Sequence, residues 1–174
     1  MLPLAMICPY CRAENIEGSD TCVECGQALY GLDLPDAEQG SQAPEFIRQP
    51  LAALPKREIV GVGRSDPVGL AIREMKRRNT NFVLVMDGER MAGIITDRDI
   101  LEKVAGPNED LNAVTCAQVM TPDPQALHDD DTVAAAIYLM AAGGFRHVPI
   151  VDDGRPLGVL VVDDLFRYIS PQLV

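Results

Sequence analysis

Two segments of the chain carry apolar residues with the spacing expected for the buried face of an α-helix. In each segment the apolar positions fall at i, i+3, i+4 and i+7. These positions are Val68, Ala71, Ile72 and Met75 in the first segment and Val133, Ala136, Ile137 and Met140 in the second. We predict a helix for each segment, with Asp66 or Asp131 as its N-cap. The methionines then belong to the core rather than to a cofactor site.

A pair of apolar runs follows each predicted helix, and a polar turn separates the runs. In the first copy the initial run covers residues 82–86 and the turn is Asp87-Gly88. In the second copy the run covers residues 148–151 and the turn covers residues 152–154. Apolar runs joined by such turns predict β-hairpins.

Each predicted hairpin ends in a related motif, GIITDRD at residues 93–99 and GVLVVDD at residues 158–164. The polar residues of each motif begin another helix, which we predict over residues 96–104 and 163–169. The order in each copy is therefore strand, helix, strand, strand, helix.

The two copies form an internal repeat with an offset of 65 residues and no gap. Ten of the 44 aligned positions from Glu58 to Leu101 are identical to their counterparts in the second copy. A repeat of this kind is one supersecondary unit used twice. We predict an α/β fold in which two pseudo-symmetric β-α-β-β-α units pack as a pair and bury their apolar faces.

Composition and charge limit the functional classes. The chain has 174 residues, 47% of them hydrophobic, and a net charge of -11. No apolar run has the length of a membrane span. The N-terminal residues 1–7 lack the basic start of a secretory signal, so we expect a cytoplasmic protein. The acidic charge argues against general nucleic-acid binding, because a phosphate backbone would be repelled.

Four of the five cysteines form two CxxC pairs near the N-terminus. The pairs are Cys8 with Cys11 and Cys22 with Cys25, and ten residues separate them. This spacing predicts a tetrahedral metal site, and a segment with so small a core would need such a site to fold. Structural Zn²⁺ is the first hypothesis, and disulfides or the iron of a rubredoxin-like electron carrier are the alternatives. The arrangement resembles the zinc-ribbon family, and the acidic charge favours a protein as its docking partner.

Composition also predicts the domain boundaries. Residues 1–30 form the predicted zinc ribbon, and residues 31–50, rich in proline and glycine, form a linker. The first repeated domain covers residues 51–107 and the second covers residues 108–174. Within the linker, residues 45–48 are expected to form a short helical turn.

The repeated region closely resembles a tandem pair of cystathionine β-synthase (CBS) domains over about residues 51–170. The resemblance rests on the GIITDRD motif, on FRHVPIVD at residues 145–152, on VMTP at residues 119–122 and on the repeat itself. It implies a regulatory module without catalytic activity that binds AMP, ADP, ATP or S-adenosylmethionine. Family members commonly pair into flat dimers, so a homodimer is expected.

The resemblance also implies ligand-binding roles for particular residues. A carboxylate at Asp99 can accept both hydroxyls of a ribose, while Thr96 lies at a helix start that favours a phosphate. Arg98 is available to add positive charge. The second copy keeps Asp164 but has Val161 in place of the family's threonine or serine. Its cleft is therefore expected to be weakened or closed.

Arg146 and His147 are further candidates, because basic residues at these positions in the family often face ligand phosphates. Strand alternation places the two side chains on opposite faces. His147 is equally well explained as a hydrogen-bonded core residue. Asp99 and Asp164 are also explained as simple helix-start charges. A structural adaptor with empty clefts is therefore the main alternative function.

Overall fold

The computed structural model describes residues 5–8, 12–16, 18–24, 26, 29, 44–105 and 110–173. The chain divides into two compact units. The copy-1 unit is Glu58–Pro124, and the copy-2 unit joins Met1–Arg57 to Gln125–Val174. The segment that precedes the copy-1 unit in sequence thus belongs to the same unit as the second copy.

The secondary structure alternates between strands and helices throughout the repeated region, and the N-terminal segment adds a short strand pair. The strands are β1 Ala5–Ile7, β2 Glu14–Ile16, β3 Gly61–Gly63, β4 Phe82–Asp87, β5 Arg90–Thr96, β6 Thr121–Pro122, β7 His147–Asp152 and β8 Arg155–Val161. The helices are α1 Val68–Arg78, α2 Asp97–Lys103, α3 Cys116–Val119, α4 Val133–Gly143 and α5 Val162–Ile169. Short 3-10 turns occupy Glu45–Arg48, Leu51–Ala53 and Ser170–Gln172. The predicted mixed α/β architecture is confirmed, as is the helical turn at 45–48.

In the copy-1 unit the described strands form one sheet in the order β3-β4-β5-β6. Strand β3 runs parallel to β4, and β5 pairs antiparallel with both β4 and β6. The hairpin turn between β4 and β5 uses Gly88 with φ +61°, a conformation that glycine adopts without steric cost. Helix α1 packs its apolar stripe against this sheet, and Val68, Ala71 and Met75 are buried there.

In the copy-2 unit β7 and β8 form the corresponding antiparallel hairpin. The position equivalent to β3 is only a single parallel bridge between Leu127 and Ile150. The strand predicted to open the second copy is therefore reduced to that bridge. On the other edge, Arg57 bridges antiparallel to Val159 of β8.

The repeated glycines allow a neighbouring segment to approach β5 and β8 closely. A Cβ on Gly93 would lie 2.8 Å from the carbonyl oxygen of Thr121, and one on Gly158 would lie 2.8 Å from Cβ of Lys56. Cβ atoms do not tolerate contacts of this length. Both glycines therefore have a structural reason for their place in the motif.

The prediction that Asp66 and Asp131 are N-caps is wrong by one residue. Helix α1 begins at Val68 after Pro67, and α4 begins at Val133 after Thr132, whose hydroxyl accepts from the amide of Ala135 at 3.2 Å. The aspartates instead close the preceding turns. Asp66 accepts from the amide of Gly63 at 2.7 Å, and Asp131 accepts from the amide of His128 at 2.6 Å.

The N-terminal segment is described only in part. Strands β1 and β2 pair antiparallel, and Cys8, Cys22 and Leu29 are buried together. The side chain of Arg12 donates to both carboxylate oxygens of Asp130 at 2.8 and 3.0 Å. Cys11, Cys25 and residues 31–43 of the predicted linker lie outside the described residues. Within the described ranges, no helix is both long and apolar enough to cross a membrane.

Candidate functional site

The first candidate site lies where β5 ends and α2 begins. Thr96 is the N-cap of α2, and Asp99 is its third residue. The amide and the hydroxyl of Thr96 donate to Oδ2 of Asp99 at 2.9 and 2.8 Å. The two residues thus form a capping box, in which each side chain satisfies backbone groups at the helix start. The structure brings both predicted ligand residues together at this point.

The other oxygen of Asp99 is held by residues that the sequence did not indicate. Oδ1 accepts from the ammonium of Lys103 at 2.8 Å and from the hydroxyl of Thr121 at 3.2 Å. Lys103 also donates to the carbonyl oxygen of Val119 at 2.7 Å. The i,i+4 spacing of Asp99 and Lys103 is a known ion-pair spacing in helices and could have indicated the first contact. Thr121 carried no such signal, because the pairing of β6 with β5 brings it to Asp99.

Asp99 keeps a low pKa although only 7% of the residue is exposed. Burial raises the pKa of this carboxyl, but the bonds from Lys103 and Thr96 outweigh burial, and the net pKa lies below the usual value of 3.8. A charged carboxylate with preformed geometry is the form that accepts hydroxyl groups. A ribose would have to replace donors on Oδ1, since Thr96 fixes Oδ2.

In the second copy the equivalent carboxylate, Asp164, is held differently. Arg57 donates to it with Nε on Oδ2 at 2.6 Å and with Nη2 on Oδ1 at 3.0 Å. Arg167 adds a contact to Oδ1 at 3.2 Å. Val161 occupies the N-cap position of α5 and forms no side-chain cap. Arg57 was not indicated by the sequence, because 107 residues separate it from Asp164.

The structure places the predicted basic residues in more exposed positions. The side chain of Arg98 is 75% exposed and lies 3.9 Å from the carboxylate of Glu102. The side chain of Arg146 is 66% exposed and lies 3.8 Å from Asp163. His147 is half-buried at the start of β7. Their roles toward a ligand stay predictions.

A groove of about 410 Å³ lies between α1 and α2 of the copy-1 unit. Its lining residues are Ile72, Met75, Lys76, Asn79, Thr80, Asn81, Asp97, Ile100 and Leu101. Thr96 and Asp99 do not line it. The groove is therefore separate from the carboxylate site.

The same backbone hydrogen bond occurs at both CxxC pairs. The amide of Arg12 donates to the carbonyl oxygen of Cys8 at 2.9 Å, and the amide of Gly26 donates to that of Cys22 at 2.9 Å. Both donors have positive φ, +63° and +71°. Among the described residues no group of three or more His, Cys, Asp or Glu side chains is placed to hold a metal ion. Cys11 and Cys25 lie outside that set, and the four-cysteine site stays a prediction.

Known sequences match the repeated region. The CBS domain model matches residues 51–106 and 116–171, which together exceed half of the chain. The chain is 35% identical over 91 residues to CBS domain-containing protein CBSCBSPB3 of Arabidopsis thaliana, covering 52% of this chain and 16% of that protein. It is 36% identical over 99 residues to an uncharacterized 17.7 kDa protein of Acidianus ambivalens, covering 56% of this chain and 58% of that one. The matched region thus spans less than two thirds of either relative.

Solved structures match the fold over a similar region. The CBS-domain containing protein ATU1752 from Agrobacterium tumefaciens is 28% identical, with a TM-score of 0.59 over 64% of this chain and 89% of that one. The CBS domain protein PAE2072 from Pyrobaculum aerophilum, solved as a complex with AMP, is 25% identical, with a TM-score of 0.64 over 72% of this chain and 98% of that one. The motifs, the duplicated architecture and these matches agree, and the chain belongs to the CBS domain family, with a tandem pair of CBS domains.

Proposed function

We propose that the chain is a regulatory module without catalytic activity, which senses an adenine nucleotide or adenosyl ligand through Thr96 and Asp99. The observation that carries the proposal is the preformed capping box, which presents a buried and charged carboxylate at the end of β5. The AMP complex of the Pyrobaculum aerophilum relative supports the ligand class.

Ligand binding would exchange donors on one oxygen of Asp99. The ribose hydroxyls would replace Thr121 and Lys103 on Oδ1, while the bonds from Thr96 keep Oδ2 in place. Lys103 keeps its bond to the carbonyl oxygen of Val119, and its ammonium can turn toward the ligand's phosphate. Helix α2 has only seven residues, so the carboxylate rather than the helix charge carries the recognition.

The test is calorimetric titration of the full chain with AMP, ADP, ATP and S-adenosylmethionine. At least one of these ligands should bind, and Asp99→Asn should abolish the binding while the thermal melt stays cooperative. Asp97→Asn is the matched control, because Asp97 is exposed on the same helix turn and should leave binding unchanged. Absence of binding by all four ligands would refute the proposal.

A structural adaptor with empty clefts is the second candidate. One observation favours it: the partners of Asp99 within the chain already occupy both carboxylate oxygens. On this alternative Asp99→Asn would lower stability, and no nucleotide would raise the melting temperature. A ligand that binds only the folded protein must raise it.

For the N-terminal segment we propose structural zinc held by Cys8, Cys11, Cys22 and Cys25, with a protein as docking partner. The matching backbone hydrogen bonds support this, because at each pair the residue after the second cysteine donates to the carbonyl oxygen of the first. Elemental analysis should find one zinc per chain in a colourless protein, and Cys22→Ser should lower that content. Cys116→Ser is the control, since Cys116 is buried elsewhere in the fold. Stoichiometric iron would instead support the electron carrier.

We also propose a homodimer. Leu101 is 70% exposed beside the apolar groove between α1 and α2, which a second copy of the chain would cover. Light scattering should show a dimer, and Leu101→Glu should convert it to a monomer. Glu102→Gln, on the same helix, is the control that should stay dimeric.

A further inference from the structure

Arg57 occupies the carboxylate of the second copy in the way a ligand would. Its Nε and Nη2 groups donate to different oxygens of Asp164, at 2.6 and 3.0 Å. A ribose hydroxyl would compete with the Nη2 group for Oδ1, the oxygen that the ribose would use in the first copy. The two donors of one guanidinium form a planar fork that fits a carboxylate closely. Asp164 is nearly buried, with 11% of its side chain exposed.

Backbone pairing of Arg57 with β8 places this guanidinium beside Asp164. The amide of Arg57 donates to the carbonyl oxygen of Val159 at 2.8 Å, and the amide of Val159 donates to that of Arg57 at 3.1 Å. Gly158 lets residues 56 and 57 lie directly against β8, because a Cβ there would overlap Lys56. Arg57 is thus paired to the strand that leads into Asp164.

On the oxygen that a ribose would use, the first copy holds its carboxylate with two separate donors, Lys103 and Thr121, instead of the two-bond fork of Arg57. Lys103 contacts only Oδ1 of Asp99 and has a second acceptor in Val119. Losing that contact leaves Lys103 hydrogen-bonded, whereas displacing Arg57 breaks two parallel bonds to Asp164 at once. The first copy also has the hydroxyl of Thr96, where the second has Val161.

We propose that Arg57 is an internal occupant of the second ligand position, which limits each chain to one nucleotide, bound at Asp99. This inference rests on the proposed function. It assigns to Arg57, which precedes the copy-1 unit in sequence, the role of closing the site of the second copy. Absence of the threonine hydroxyl at Val161 weakens that site, and Arg57 blocks the carboxylate that remains.

The test is the stoichiometry of AMP binding, measured by calorimetry on the full chain. Val161→Thr restores the missing hydroxyl and should still bind one AMP, as should the unchanged protein. Adding Arg57→Met to Val161→Thr should give a second AMP per chain. Adding Arg167→Met to Val161→Thr instead is the matched control, because Arg167 contacts only one oxygen of Asp164. This double variant should still bind one AMP per chain. A further Asp164→Asn in the double variant should remove the second binding event.

Several results would overturn the inference. Two AMP molecules on the unchanged protein or on Val161→Thr alone would show that Arg57 does not block the position. A folded Val161→Thr, Arg57→Met variant that binds one AMP would show the same. If that variant fails to fold, Arg57→Gln in the same background gives the deciding stoichiometry. Absence of AMP binding in every protein would refute the proposed function for AMP, and the inference with it, whereas the other outcomes leave the proposed function intact.

Discussion

Thr96 and Asp99 hold each other at the junction of β5 and α2, with the hydroxyl of Thr96 2.8 Å and its amide 2.9 Å from Oδ2 of Asp99. The same bonds begin the helix and orient the carboxylate proposed to bind ribose. Stability and ligand affinity are therefore coupled at this pair. In the second copy the coupling is missing, because Val161 has no hydroxyl.

Thr96→Val should lower the free energy of unfolding by about 1 kcal/mol, the usual cost of losing an N-cap side chain. It should also weaken nucleotide binding, because the carboxylate loses a bond that orients it. Urea unfolding and calorimetry measure the two effects. Thr96→Ser keeps the hydroxyl and should stay close to the unchanged protein in both. Equal losses in the serine variant would show that packing of the methyl group, rather than the cap, matters.

Lys103→Met should destabilise the chain by about 2 kcal/mol at pH 7, in the range for a hydrogen bond to a charged group. Asp99 has a lowered pKa, so the stability it contributes is present above its unfolded value of 3.8 and is lost as pH falls through the folded value. Lys103 opposes the effect of burial on the pKa of Asp99, so this pKa should rise when the lysine is removed. Acid unfolding should then begin at a higher pH. Circular dichroism across an acid titration measures this midpoint.

Arg98→Met provides the control for Lys103, because it removes another cation from α2. Its pair with Glu102 is exposed and long, at 3.9 Å, and such pairs contribute less than about 1 kcal/mol. The variant should therefore leave both the stability and the acid midpoint nearly unchanged. If Arg98→Met moved the acid midpoint as far as Lys103→Met does, the effect would come from the net charge of the helix and not from the contact with Asp99.

His128 should make the chain less stable as pH falls from 7 to 5. The residue is 1% exposed, and neither ring nitrogen has a hydrogen-bond partner among the described residues. Burial lowers its pKa, and Arg12 acts in the same direction, against Asp131, Asp130 and Asp152. The unfolded state then takes up a proton below about pH 6.5 before the folded state does, so the free energy of unfolding decreases there.

The measurement is urea unfolding at a series of pH values for the unchanged protein and for His128→Leu. Leucine has a similar size and loses no hydrogen bond of the described residues, so stability at pH 7 should be retained. The decrease between pH 7 and 5 should become smaller in the variant. Parallel pH profiles for the two proteins would show that His128 does not titrate as its burial implies.

Gly93→Ala and Gly158→Ala should each lower stability by about 1 to 3 kcal/mol, the cost typical of overpacking. The new methyl group would overlap Thr121 in the first variant and Lys56 in the second. Gly69→Ala is the control, because a Cβ there meets its nearest neighbour at 3.4 Å. Alanine is also the better helix former, so this variant should gain about 0.5 kcal/mol. Thermal melts of the three variants show whether each substitution raises or lowers the stability.

The sequence by itself determined the repeated helices and hairpins, since their apolar periods and turn residues are local features. The stripe ending at Met75 and the turn at Gly88 are examples, and both are present in the structure. The GIITDRD motif likewise located the junction of β5 and α2 to within a residue. The N-caps at Asp66 and Asp131 were misassigned because an aspartate can equally accept from an amide three residues earlier.

Only the tertiary structure decided which distant residues reach the two carboxylates. Thr121 reaches Asp99 through the pairing of β6 with β5, and Arg57 reaches Asp164 across 107 residues of sequence. Such contacts depend on which segment covers each strand edge, and no local periodicity encodes that choice. The repeat therefore specified two equivalent carboxylates, and packing added Thr121 to one and Arg57 to the other.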